Sequence, residues 1–224
     1  MFGDLGHSIL TRGPVFILAI SLHEYAHALA ATLCGDDTAR EEGRLTLNPL
    51  SHLDPIGTIG GLLIGIGWGK PVPVDLHRMR HPVRDHALVA FAGPMSNLLQ
   101  AMAWTVLGGG VLAAGVQMGM GFWTVIRIGI TLNLVLMFFN LVPLHPLDGF
   151  AVACGLMSGR VSWEAEAKYR AFNQQYGVGI LMLLIMAPGF LRLPPELDPF
   201  HYLVFLPSAW LGGHLMDLML GLGR

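Results

Sequence analysis

The chain has 224 residues, 53% of them hydrophobic and only 12% charged, with a net charge of -2. Soluble globular domains carry about 25% charged residues, so this composition, with a mean hydropathy of +0.57, excludes an ordinary water-soluble domain and implies a multispanning membrane protein. No polybasic block offers a footing for nucleic acid, and the two cysteines, Cys34 and Cys154, do not make a disulfide framework.

In chain order, the start MFGDLGHSILTRG lacks the basic region and small-residue cleavage site of a signal peptide. The first apolar run is therefore expected to be retained. A helix needs about 20 mostly apolar residues to cross a bilayer. Five segments answer to this: 13–35, 87–116, 122–142, 177–193 and 202–222. The fourth is short and carries Pro188 near its end, so the last two have an alternative reading as one broken helical hairpin around PPELDP, 194–199.

Between the first two spans, IGTIGGLLIGIGWG (56–69) has six glycines. Each interior glycine costs a helix roughly 0.5–1 kcal/mol relative to alanine, yet the stretch is too apolar for a hydrated loop. The expectation is a re-entrant segment or short hairpin, with a strand before it at RLTL (44–47). A further, poorly formed helix is the alternative. The predicted fold class is an α-helical integral membrane protein, about five transmembrane helices plus a short membrane-associated β-sheet or re-entrant region, in one domain over 1–224.

Charge placement predicts the topology. Arg40, Arg44, Lys70, Arg78, Arg80, Arg84, Arg160, Lys168, Arg170 and Arg224 fall on one side of such a five-span chain, and only Arg12 and Arg192 on the other. The positive-inside rule puts the first group in the cytoplasm. The N-terminus is then extracytoplasmic and the C-terminus cytoplasmic, in a multi-pass protein of the cell (inner) membrane.

The first span carries the chemistry. His23-Glu24-Tyr25-Ala26-His27 is an H-E-x-x-H pattern inside an apolar helix. Positions i and i+4 lie on one helix face, where two neutral imidazoles can hold one Zn²⁺ at about 2.0–2.1 Å. Glu24 points away from that face by enough to miss the metal but still reach a water beside it, the placement of a general base. Three polar groups in an apolar span need a shared reason, and a metal supplies one. A third ligand is expected where the third span ends, in FFNLVPLHPLDGF (138–150). Asp148, beside Gly149, and His145 are rivals for that role on the residues alone.

Other polar residues have structural readings. Asn48, His52 and Asp54 suit turns and caps near the re-entrant segment. Asn97 and Asn133 suit bonds across helices, His81 and His86 suit a solvated helix start, and His214 and Asp217 suit an interfacial helix end. Met216 and Met219 suit lipid or packing surface.

With HEYAH in one span and NLVPLHPLDG closing a later one, the sequence resembles the site-2 proteases, a family of intramembrane zinc metalloproteases. NPLSHLDPIGT (48–58), GWGKPVPV (67–74) and AGPMSNLLQA (92–101) fall in the family's order, so the resemblance covers roughly 14–150. It implies one zinc held by His23, His27 and Asp148, water activation by Glu24, and substrate or oxyanion contacts from Asn140. It also implies that the glycine-rich stretch is a membrane-associated sheet able to pair with an unwound substrate. Unlike larger members, the chain shows no extra span before HEYAH and no PDZ domain in 36–86.

The expected function is that of an intramembrane zinc endopeptidase performing regulated intramembrane proteolysis. Its substrate would be a single-span, membrane-tethered protein cut near the cytoplasmic face of the lipid bilayer, with 177–222 the suspected gate. The alternative is a metal-binding membrane transporter or sensor without peptidase activity, which would leave Glu24 unexplained.

Overall fold

The structure, a computed structural model, describes residues 2–64 and 67–223. Among them are eight α-helices: α1 (Phe2–Cys34), α2 (Thr38–Glu41), α3 (Pro55–Ile64), α4 (Pro82–Ala113), α5 (Met120–Asn140), α6 (Asp148–Met157), α7 (Trp163–Leu191) and α8 (Leu206–Leu222). Among the described residues, four helical stretches are long and apolar enough to cross a membrane: Leu10–Cys34, Met120–Asn140, Trp163–Leu191 and His201–Leu222. The chain is thus a helical, multi-pass membrane protein.

The expected count of five differs from these four at α4. Helix α4 forms over the expected second span, but Pro94, Ser96, Asn97 and Gln100 interrupt its apolar run. Asn97 and Gln100 are buried against neighbouring helices, so the polarity that lowers its hydropathy faces protein. The last two spans are two separate helices and not one broken hairpin. Helix α7 also begins well before the expected residue 177. Ser162 caps it by accepting from Ala165 N–H, and Glu164 and Glu166 in its first turn suit the positive end of the helix dipole.

The expected sheet is a correction. No strand occurs among the described residues; Arg44–Leu47 is irregular, and one isolated antiparallel bridge joins Leu53 to Gly69. Residues 55–64 form α3, a helix of ten residues, about 15 Å long and too short to span a bilayer. Residues 65 and 66, within the expected hairpin, lie outside the described residues. A strong start signal outweighs the glycine cost: Asp54 accepts from Gly57 N–H at 2.7 Å, and Pro55 occupies the first position, where its missing donor costs nothing. Gly57 is needed for a second reason, because a Cβ there would collide with the Trp68 carbonyl.

Helices α1, α4, α5 and α8 make the body. The largest apolar cluster joins Ala101 of α4, Ile126, Ile130, Leu134 and Met137 of α5, and Leu215 of α8. On α1, Phe16, Ile20, His23 and His27 share one buried face, with Ala19, Ala28 and Ala31 fully buried beside them. Small residues let membrane helices approach closely.

A long connection covers the end of α1 and α4. Lys70 N–H donates to the His52 carbonyl at 2.7 Å. The buried Arg44 guanidinium donates to the Lys70 and Pro71 carbonyls at 2.5 and 3.1 Å. His52 is buried against the Thr46 carbonyl, and Asn48 caps the turn at Pro49–Ser51, so the structural readings of Asn48, His52 and Asp54 hold. Asp36, fully buried, accepts from Thr38 N–H and Oγ1–H with one oxygen and from Asp75 N–H with the other. Burial pushes this carboxyl up, but these bonds and the Arg78 charge outweigh it and hold the group below the usual carboxylate range.

Asp36→Asn keeps the shape and removes one acceptor, which strands a buried N–H. The expected cost is about 1–3 kcal/mol, read as a lower unfolding midpoint in detergent. Acid should act in the same direction. A carboxylate held below its unfolded-state value (about 3.9) stabilises the fold above that pH, and its contribution fades as pH falls through the folded value. The acid sensitivity should be weaker in Asp36→Asn.

Candidate metal centre

The H-E-x-x-H pattern lies on a regular turn of α1, and both imidazoles turn the same way. Their rings are edge-to-face with centroids 4.6 Å apart. The two Nε2 atoms are 3.0 Å from each other. Asp148, the first residue of α6, brings Oδ2 to 3.2 Å from His23 Nε2 and 3.4 Å from His27 Nε2. The turn before it doubles back so tightly that a Cβ on Gly149 would collide with the Leu141 and Val142 carbonyls.

Hydrogen bonds on the far side of each ring decide what these atoms are. His27 Nδ1 faces the Val89 carbonyl at 2.7 Å; a carbonyl only accepts, so Nδ1 carries the proton. His23 is set by a longer relay. Asn133 Nδ2 donates to the Gly129 carbonyl at 2.8 Å, which leaves Asn133 Oδ1 to accept from Asn97 Nδ2 at 3.0 Å. Asn97 Oδ1 is then the atom that faces His23 Nδ1, at 2.7 Å, and accepts from it. Each neutral imidazole has one donor and one acceptor nitrogen. Both Nε2 atoms are therefore lone pairs.

Three acceptors thus face one another, two imidazole nitrogens and a carboxylate oxygen. Asp148 Oδ2 is buried with no hydrogen-bond donor. Such a cluster is repulsive unless a cation sits among its members. The spacing suits one: three ligands at about 2.0–2.1 Å in a tetrahedral array lie about 3.3 Å apart, against the observed 3.0, 3.2 and 3.4 Å. Among the described residues, His23, His27 and Asp148 form the one group of His, Cys, Asp or Glu side chains clustered in this way. His145 is not in it.

The cluster forms one wall of a cavity of about 590 Å³. Glu24, Asn140, His145, His86 and Gln174 line the same cavity, as do residues of the 67–74 connection. The Glu24 carboxylate makes no hydrogen bond among the described residues and lies against the backbone of Gly69, where a Cβ would stand 2.6 Å from Oε1. Asn140 donates one Nδ2 hydrogen to its own helix, to the Leu136 carbonyl at 3.0 Å; an amide nitrogen has a second to offer. His81 is exposed as expected, whereas His86 is half-buried in the cavity wall and not simply solvated. His214 is exposed and bonds to the Trp210 carbonyl within α8, away from the cluster.

Gly93 is a site residue that sequence reasoning passed over. A Cβ there would collide with His27 Nε2 and lie 2.6 Å from His23 Cε1. Asn97 was expected only to bond across helices; it does so, and it also sets the His23 tautomer. Gly93 and Asn97 are four apart on one face of α4, inside the AGPMSNLLQA block, and that spacing was the available signal.

Residues 109–184 match peptidase family M50. The chain is 42% identical over 176 residues to the Bacillus subtilis (strain 168) protein named "Putative zinc metalloprotease YwhC", covering 77% of this chain and 78% of the relative. It is 31% identical over 183 residues to "Putative zinc metalloprotease Rip2" of Mycolicibacterium smegmatis, 79% of this chain and 67% of the relative. Its identity to the Rip2 of Mycobacterium tuberculosis strain H37Rv is 29% over 181 residues. No solved structure matches the chain. The protein is a membrane zinc metalloprotease. It belongs to peptidase family M50, the site-2 protease family.

The outer hydrogen bonds of metal-bound histidines typically matter 10–100-fold in metal affinity. Asn97→Leu, which removes the acceptor from His23 Nδ1–H, should weaken zinc binding by about that factor in competition against a chelator. An unchanged affinity would remove Asn97 from the account of the site.

Proposed function

We propose that His23, His27 and Asp148 hold the zinc and that the chain cuts a single-span, membrane-tethered protein near the cytoplasmic face, as a step of regulated intramembrane proteolysis. The observation that carries this reading is the donor-free triangle of two Nε2 atoms and one carboxylate oxygen at the wall of a largely apolar cavity that Glu24 and Asn140 also line. Zinc in that place supplies a Lewis acid that lowers the pKa of water and polarises a carbonyl.

The protein's own residues then have distinct tasks. Glu24, next to His23 and with no hydrogen-bond partner for its carboxylate among the described residues, takes the proton from water and passes it to the leaving amine. Asn140 offers its remaining N–H to the oxyanion that develops on the scissile carbonyl. Val72 and Val74 line the cavity, and their backbone groups have no partner among the described residues. An extended peptide can bond to them, which offsets the helical bonds a substrate loses on unwinding.

The proposed topology has five spans, with α4 the fifth member, its polar residues satisfied inside the bundle. The positive-inside bias then places the N-terminus outside and the C-terminus in the cytoplasm of the cell membrane. Water reaches the site from the cytoplasmic side, where the 67–74 wall and the start of α6 lie.

With detergent-purified protein and a candidate single-span substrate, Glu24→Gln should retain zinc and lose about 10²–10⁴ in cleavage rate. His23→Ala, His27→Ala and Asp148→Ala should each lower zinc content, and a chelator should stop cleavage by the native protein. Unaltered cleavage by Glu24→Gln would falsify the assignment of the base. Asn140→Ala should keep zinc and lose about 10²–10³ in rate; loss of zinc would instead make Asn140 part of the metal's support.

A further inference from the structure

Helix α7 is the least embedded of the long helices. Only 11% of its apolar window is buried, and Phe190, Leu183, Met186 and Leu191 stand well exposed. Its buried residues are Asn173, Gly177 and Leu181. With Tyr169 they are spaced four apart along one helix face, and all four meet the same six residues, 142–147, the turn that ends in Asp148.

The contacts run in order. Tyr169 Oη–H donates to the Pro143 carbonyl at 2.7 Å. Asn173 Oδ1 accepts from His145 N–H at 3.2 Å, and its Nδ2 is held by the Tyr169 carbonyl at 3.3 Å. Gly177 lies so close that a Cβ would stand 2.7 Å from the His145 carbonyl oxygen. Leu181 packs in one apolar cluster with Val142 and Leu147. Two hydrogen bonds, one backbone contact and one apolar contact grip the turn, and Asn173 takes the one N–H of 142–147 that has no partner within the turn or at the end of α5.

We infer that Tyr169, Asn173 and Gly177 are positioning residues that fix the turn bearing Asp148, so that the place of α7 sets the place of the third zinc ligand. The inference rests on the proposed ligand set. Asp148 is the one member of that set that arrives from outside α1, at the end of the irregular segment 141–147, which contains Pro143 and Pro146 and separates α5 from α6. The two imidazoles are held by α4 and α5. The turn that leads into the carboxylate is held by α7, a helix facing mostly outward, while α6, which begins at Asp148, packs on α4; a displacement of α7 therefore pulls on the approach to one ligand and not on the other two.

The test is zinc affinity by chelator competition on the purified full chain, together with the unfolding midpoint of each variant. Tyr169→Phe, Asn173→Leu and Gly177→Ala should each lower zinc affinity about tenfold or more, as loss of a ligand's outer support does. Leu215→Ala, in the core of α8 and far from the turn in sequence, serves as the control: it should lower the midpoint and spare zinc affinity. Zinc affinity in the α7 variants that matches the native protein, or that falls no further than in Leu215→Ala at an equal drop in midpoint, overturns the inference. Asp148→Ala in the same series separates the two claims. Lost affinity there with unchanged α7 variants removes only the role of α7, whereas retained affinity in Asp148→Ala removes the ligand set itself.

Discussion

Three acceptor atoms facing one another without a donor are the constraint on which this structure turns. Leaving one buried charged acceptor unpaired costs at least about 1–3 kcal/mol, and here a carboxylate oxygen meets two lone pairs within 3.4 Å. The arrangement is not a chance of packing. Val89 on one side, and Gly129, Asn133 and Asn97 on the other, commit both Nδ1 atoms as donors and leave both Nε2 atoms bare. With both imidazoles neutral, a cation among the three atoms makes the centre favourable, and the spacing suits a tetrahedral zinc.

The rest of the bundle can be understood as support for that triangle. Alanines on α1 and Gly93 on α4 bring the backbones close enough for α4 to reach behind the imidazoles. Gly149 lets the chain fold back under Asp148, and Gly69 lets the covering connection rest on Glu24. Arg44 clamps that connection from beneath through two carbonyls. Glycine serves here less for conformational freedom than for its missing side chain. At these three positions a methyl group would meet the imidazoles of His23 and His27, the backbone of Leu141 and Val142, and the Glu24 carboxylate, respectively.

What the sequence made legible follows the reach of each signal. His23, Glu24 and His27 could be read because four residues make one helical turn, and because charge in an apolar span is costly enough to need a reason. Asp148 could not be separated from His145 by the residues alone, since an irregular turn has no period; family resemblance chose between them, and the geometry places the same residue in the cluster. Helix α3 was misread because glycine counting ignored the cap at Asp54-Pro55, a local signal present in the chain. The first half of α7 was hidden by its polarity, although Ser162 and its following acids mark a helix start. The Asn97–Asn133 relay and the α7 grip on 142–147 join residues far apart in sequence, and no local rule reaches them.

X-ray absorption at the zinc edge of the purified protein tests the central claim most directly. The account predicts a shell of nitrogen and oxygen scatterers at about 2.0–2.1 Å, with the outer-shell pattern of two imidazoles and no sulfur. Sulfur at about 2.3 Å, or a spectrum with fewer than two imidazoles, would place the metal elsewhere and contradict it.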